Sequence, residues 1–150
     1  IGEAPGISEE TLARPFVGPV GRQLDRIVEN SSVAVFGRIN AYKWCMTNGV
    51  ACLPWSFGET RKPKASELKA CSPRLGQLIR FAQPSLIVMV GREARKAFNW
   101  VDLPEGLGSF KTCDIDHPGS WFKQKKDIEL EVKRASLTLA AAIERHVIPF

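Results

Sequence analysis

The stretch Leu86-Ile-Val-Met-Val90, entered from Pro84-Ser85 and closed by Gly91, decides the fold class. A continuous apolar run of this length suits a strand buried on both faces. Helices should therefore flank it on either side of a sheet. Upstream, Ser66 is placed to cap a helix running to about Ala82, with Leu68, Leu75, Leu78 and Ile79 on its stripe. Pro73 should kink that helix or split it in two. Downstream, Arg92 to Trp100 reads as a short helix, Phe110 to Ile115 as a strand and Lys126 to His146 as a long final helix. Earlier, Val20, Leu24, Ile27 and Val28 share a helical face over about Val20 to Glu29. Tyr42 to Val50 reads as a strand ending at Asn48-Gly49. Gly2 to Val17 reads as a long loop with one helical turn, and Leu53 to Lys64 as a loop holding Pro, Lys and Arg. Strands alternating with helices argue an α/β fold with a largely parallel sheet. Ligands of such sheets sit at loops leaving the carboxyl ends of strands. Gly2–Gly6, Asn48 and His117 all fall at such places.

A chain of 150 residues, 44% of them hydrophobic and 25% charged, fits one domain over 1–150 with a real core. The net charge of +5 favours polyanionic partners. No apolar run is long enough to span a bilayer, so no membrane partner is expected. The chain opens directly on the turn-rich Gly2-Glu-Ala-Pro-Gly6, which implies a feeding strand upstream of Ile1. Cys45, Cys52, Cys71 and Cys113 are scattered, with no CxxC pair. That pattern suits a reducing, cytoplasmic setting.

Four segments in order carry a resemblance. They are Gly2-Glu-Ala-Pro-Gly6 continuing to Arg14-Pro-Phe-Val-Gly18, and Thr47-Asn-Gly-Val-Ala-Cys-Leu-Pro54. The third runs from Arg61-Lys-Pro-Lys64 through Cys71 to Gly91, and the fourth is Asp116-His-Pro118. Together they resemble the uracil-DNA glycosylase superfamily, most closely its family 4 (thermophile-type, iron–sulfur) branch. The resemblance covers nearly the whole chain. It implies a three-layer α/β/α fold with a central, mainly parallel four-stranded sheet, its first strand truncated here at the N-terminus. It also implies a monofunctional hydrolase of DNA base excision repair, a monomer acting on double- or single-stranded DNA that contains uracil.

Site roles follow from the resemblance, each beside a blander reading. Phe16 matches the phenylalanine that stacks on a flipped base; otherwise it is a core residue beside Val17. Asn48 matches the asparagine that reads uracil, since one amide accepts from N3–H and donates to O4; otherwise Asn48-Gly49 is a turn. His117 matches the histidine that steadies charge on uracil O2; otherwise it is a surface loop residue. Gly2 and Ala4 line the base site. Ala4 stands where another branch of the superfamily has a catalytic aspartate, leaving Glu3 and Glu9 as carboxylate candidates. Glu9 and Glu10 equally suit the acidic first turn of a short helix. Trp121, beside Lys123, is the candidate wedge into the duplex, or else part of an amphipathic helix start. Arg61, Lys62 and Lys64 are candidate phosphate contacts, or else a solvated loop. Family 4 implies a [4Fe–4S] cluster in the intact protein, to which Cys52 and Cys71 would give the later pair of thiolates if upstream cysteines exist. Cys45 and Cys113 read as small core residues. Two alternatives stay open: a non-catalytic DNA-binding protein of this fold, and a glycosylase for another deaminated or mismatched base.

Overall fold

The computed structural model describes residues 1–39, 41, 43–103 and 110–146. The elements run α1 (Ile7–Leu12), α2 (Pro19–Phe36), β1 (Trp55–Ser56), β2 (Glu59–Thr60), α3 (Ala65–Ala82), β3 (Leu86–Val90), α4 (Arg92–Asn99), β4 (Lys111–Ile115), α5 (Pro118–Lys123) and α6 (Ile128–His146). Strand β3 pairs with β4 in parallel, Leu86 opposite Lys111 and Val90 opposite Ile115. Alternate residues of β3 enter two cores. Val88 and Val90 pack with Leu24 and Ile27 of α2, Trp121 of α5, and Val132, Leu139 and Ile143 of α6. Ile87 and Met89 pack with Leu68, Leu75 and Ile79 of α3 and with Ala94 and Ala97 of α4. Helices thus cover both faces of β3, which is why its sequence has no polar alternation. The fold is α/β. None of the described helices is long and apolar enough to cross a membrane.

Several sequence expectations are corrected. Among the described residues the regular parallel sheet is the β3–β4 pair. Residues 43–47 form no strand; Asn48 makes a single parallel bridge with Gly2, and Tyr42 lies outside the described residues. Helix α2 continues past Glu29 to Phe36. Its second half carries the buried Ser31 and Ser32, whose hydroxyls donate to the carbonyls of Val28 and Arg38. Small polar residues bonded to backbone cost little inside a helix, but they erase its apolar stripe. Helix α3 stays whole through Pro73. Pro73 has no N–H for the Lys69 carbonyl, and the Ser72 hydroxyl donates to it instead at 2.9 Å. Lys64, not Ser66, is the helix N-cap, and the Glu67 carboxylate accepts its backbone N–H at 2.7 Å. Leu53 to Lys64 is not a plain loop, because β1 and β2 form an antiparallel hairpin.

Residues 1–3 extend the sheet without counting as a strand. The backbone nitrogen of Ile1 donates to Val88 O at 2.6 Å, and Val90 N donates to Ile1 O at 2.9 Å. On the other side Gly2 N donates to Thr47 O (2.8 Å) and Gly49 N to Gly2 O (2.9 Å). One residue bonding both neighbours of its partner is the parallel pattern. The motifs Gly2–Gly6, Asn48, Gly91 and His117 therefore all leave the same edge of the sheet.

Candidate active site

A cavity of about 320 Å³ opens at that edge, lined among others by Glu3, Glu9, Phe16, Asn48, Thr60 and His117. This lies at the small end of ligand-pocket volumes. Backbone shape sets its walls. Phe16 holds φ +57, and its carbonyl lies where a side chain on Gly21 would have to go. A Cβ on Gly2 would overlap Asn48 Oδ1 and reach within 2.9 Å of the Phe16 ring. Gly2 therefore lets an aromatic face and an amide stand together. Gly91, at φ +84, similarly leaves room for His117, whose Cβ would lie 2.7 Å from an added one. A larger cleft of about 540 Å³ runs between α2 and α6, past Asn30, Glu129 and Leu137, and includes none of these motifs.

Asn48 is 9% exposed, and among the described residues its side-chain amide makes no hydrogen bond. An amide at a cavity wall with its donors and acceptor uncommitted within the protein can pair with a ligand there. Its backbone, by contrast, is pinned. Arg74 of α3 donates to Asn48 O at 2.5 Å and to Thr47 Oγ1 at 3.2 Å, while Gly49 N–H is taken by Gly2 O. Sequence reasoning missed Arg74. The available signal was an arginine set into the apolar stripe between Pro73 and Leu75.

His117 caps α5, and its Nδ1 accepts from Gly119 N at 3.1 Å. An acceptor Nδ1 assigns the ring proton to Nε2 in the neutral form. Burial, then the charges of Lys123 and Lys62, hold the His117 pKa below its usual 6.5. Asp116 is exposed, so the orienting partner is a backbone amide rather than that carboxylate. Between the folded pKa and 6.5 the unfolded chain binds more protons at this residue. Stability is then lost as pH falls through that window and recovered above it. An NMR titration of His117 is expected to give a midpoint below 6.5; a midpoint at or above 6.5 would contradict the neutral ring.

Both carboxylate candidates reach the cavity. Glu9 accepts from Gly18 N at 2.7 Å and from Gly6 N at 3.1 Å, tying the two glycine motifs together. Glu3 is half-buried, and burial raises its pKa, opposed by Lys62. Ala4 lines the cavity and brings no charge.

Other sequence candidates lie elsewhere. Trp121 is 1% exposed inside the core of α2, α5 and α6 and cannot act as a wedge; helix α5 turns it inward and leaves Phe122 and Lys123 outside. Arg61 is committed to Glu67 through two contacts of 2.8 and 2.6 Å, which holds the Glu67 pKa down to about 2. This geometry makes Arg61 an anchor of the loop rather than a free phosphate contact. Lys62 and Lys123 are exposed and close enough to act on both Glu3 and His117. Cys52 is exposed and Cys71 half-buried, both as free thiols. Among the described residues no three metal-ligating side chains gather. Cys52 and Cys71 could supply at most two of the four thiolates of such a cluster. Cys113 is buried, but Cys45 is exposed, because the strand expected around it does not form.

An aromatic face, an unpaired amide and a buried imidazole thus stand around one small cavity at the carboxyl edge of an α/β sheet. A family model described as the Uracil DNA glycosylase superfamily matches residues 1–140, and the chain belongs to that superfamily. It is similar to proteins named Type-4 uracil-DNA glycosylase. That of Sulfurisphaera tokodaii is 35% identical over 96 residues, covering 64% of this chain and 40% of the relative. That of Saccharolobus solfataricus is 35% identical over 94 residues, covering 63% and 40%. That of Pyrobaculum aerophilum is 36% identical over 97 residues, covering 65% and 45%. The matched stretch thus spans less than half the length of these curated relatives.

Proposed function

We propose that the chain, as one domain, hydrolyses the N-glycosidic bond of uracil in DNA and leaves an abasic site. The observation that carries this reading is the convergence of Phe16, Asn48 and His117 on one cavity. A base within a duplex is unreachable, so the nucleotide must flip out. Phe16 stacks on the ring. Asn48 accepts from N3–H and donates to O4, a pattern that cytosine presents in reverse. Cleavage leaves an anionic base and a cationic sugar. The Nε2–H of neutral His117 donates to O2 as charge develops there. Glu9, its oxygens fixed by two backbone amides, stands beside the sugar cation. Glu3, with its raised pKa, is the better group to take a proton from water. Lys62 and Lys123, both exposed and with charges that act on Glu3 and His117, suit phosphate.

The fold expected of such an enzyme, a three-layer α/β/α with four parallel strands, is supported by the ladder of 47–50, 1–3, β3 and β4. An assay of base release from oligonucleotides carrying uracil, hypoxanthine or a thymine mismatch tests the reading. Release of uracil alone is expected. Binding without release would favour a non-catalytic DNA-binding protein, for which Ala4 in place of a carboxylate is the supporting observation.

A further inference from the structure

The hairpin β1–β2 is used by no step above, and its tip is built against its own stability. The two residues linking the strands, Phe57 and Gly58, both hold positive φ, +51 and +83. Two-residue hairpin turns of this kind take Asn, Asp or Gly at the first position, because a larger side chain is disfavoured there. Phenylalanine occupies it instead, a fully exposed residue at 102% relative exposure. It gains nothing from burial. Trp55, 49% exposed, is a second large aromatic left in water. Strain combined with exposed aromatic surface points to a ligand rather than to folding.

The hairpin's position says which ligand. Thr60 lines the cavity that holds Phe16, Asn48 and His117, and Trp55 is its cross-strand partner, so both stand on the same hairpin face. The hairpin base is rigidly held: Arg61 N donates to Pro54 O at 3.0 Å, and the Arg61 guanidinium grips Glu67. Lys62 follows at once and is exposed, and its charge acts on both Glu3 and His117 of the cavity wall. A clamped arm with flat apolar faces at its end and a lysine at its root matches a strand of stacked bases joined by phosphates.

We propose that the β1–β2 hairpin is a second DNA-contacting element, in which Phe57 stacks on an unpaired base next to the flipped nucleotide while Lys62 meets the adjoining phosphate. This rests on reading the cavity as a base pocket. The test is fluorescence anisotropy of the chain with a single-stranded oligonucleotide carrying a tetrahydrofuran abasic site. Phe57→Asn removes the ring and suits the turn, so its denaturation midpoint should equal or exceed wild type. Its DNA affinity should fall roughly 5- to 150-fold, the range for loss of one stacked base. Phe57→Trp should stay within about threefold of wild type. Wild-type affinity in a folded Phe57→Asn chain overturns the hairpin proposal and leaves the pocket reading intact. Tight DNA binding that depends on Phe57, without uracil release by the wild type, overturns the glycosylase reading alone. Wild-type protein that binds no DNA overturns both.

Discussion

Replacing His117 by alanine is expected to slow uracil release about 10²- to 10³-fold while DNA affinity changes only a few-fold, because the lost interaction forms in the transition state. The geometry behind this is specific. Nδ1 is occupied by the Gly119 amide, so the remaining ring proton sits on Nε2, and burial with two nearby lysines keeps the ring neutral. A neutral donor strengthens as charge grows on uracil O2. Alanine also removes the side-chain cap of α5, at about 1 kcal/mol of stability. The comparison therefore belongs well below the melting temperature, under single-turnover conditions. Unchanged single-turnover release by a folded His117→Ala chain would remove His117 from the chemistry.

Asn48→Ala should lose comparable activity for a different reason. Each hydrogen bond left unmade in the buried pocket costs about 1–3 kcal/mol, and uracil offers two polar edges to this amide. The expected loss in kcat/KM is therefore about 30-fold or more. It should be accompanied by a narrowed preference for uracil over cytosine, since an apolar wall no longer penalises the wrong pattern. Arg74 and the Gly2 bridge hold the backbone here, so the substitution should leave the fold intact. A variant that still rejects cytosine as strongly as wild type would show that another group reads the base.

The sequence reveals different parts of this molecule to different degrees. Strand β3 is legible because both its faces are buried and its apolar run is unbroken. The far half of α2 is hidden because Ser31 and Ser32 satisfy their hydroxyls on the backbone instead of presenting a stripe. The hairpin is missed because Phe57 occupies a turn position where its residue type gives no warning. Trp121 is misjudged because an aromatic beside lysines looks the same whether a helix turns it inward or a loop turns it out. Phe16, Asn48 and His117 lie far apart in the chain, and no periodicity brings them together. The strand–helix alternation sets Asn48 and His117 at one edge of a sheet, the resemblance adds Phe16 and the roles, and the backbone ladders through residues 1–3 explain how the strands align.

Asn48, Phe16 and the base they are held to grip can be seen together in one measurement: the crystal structure of the slowed His117→Ala chain bound to an oligonucleotide containing uracil. The uracil ring should lie against Phe16, with N3 and O4 within hydrogen-bond distance of the Asn48 amide. A uracil still stacked in the DNA, or seated against any other surface of the protein, would contradict the account.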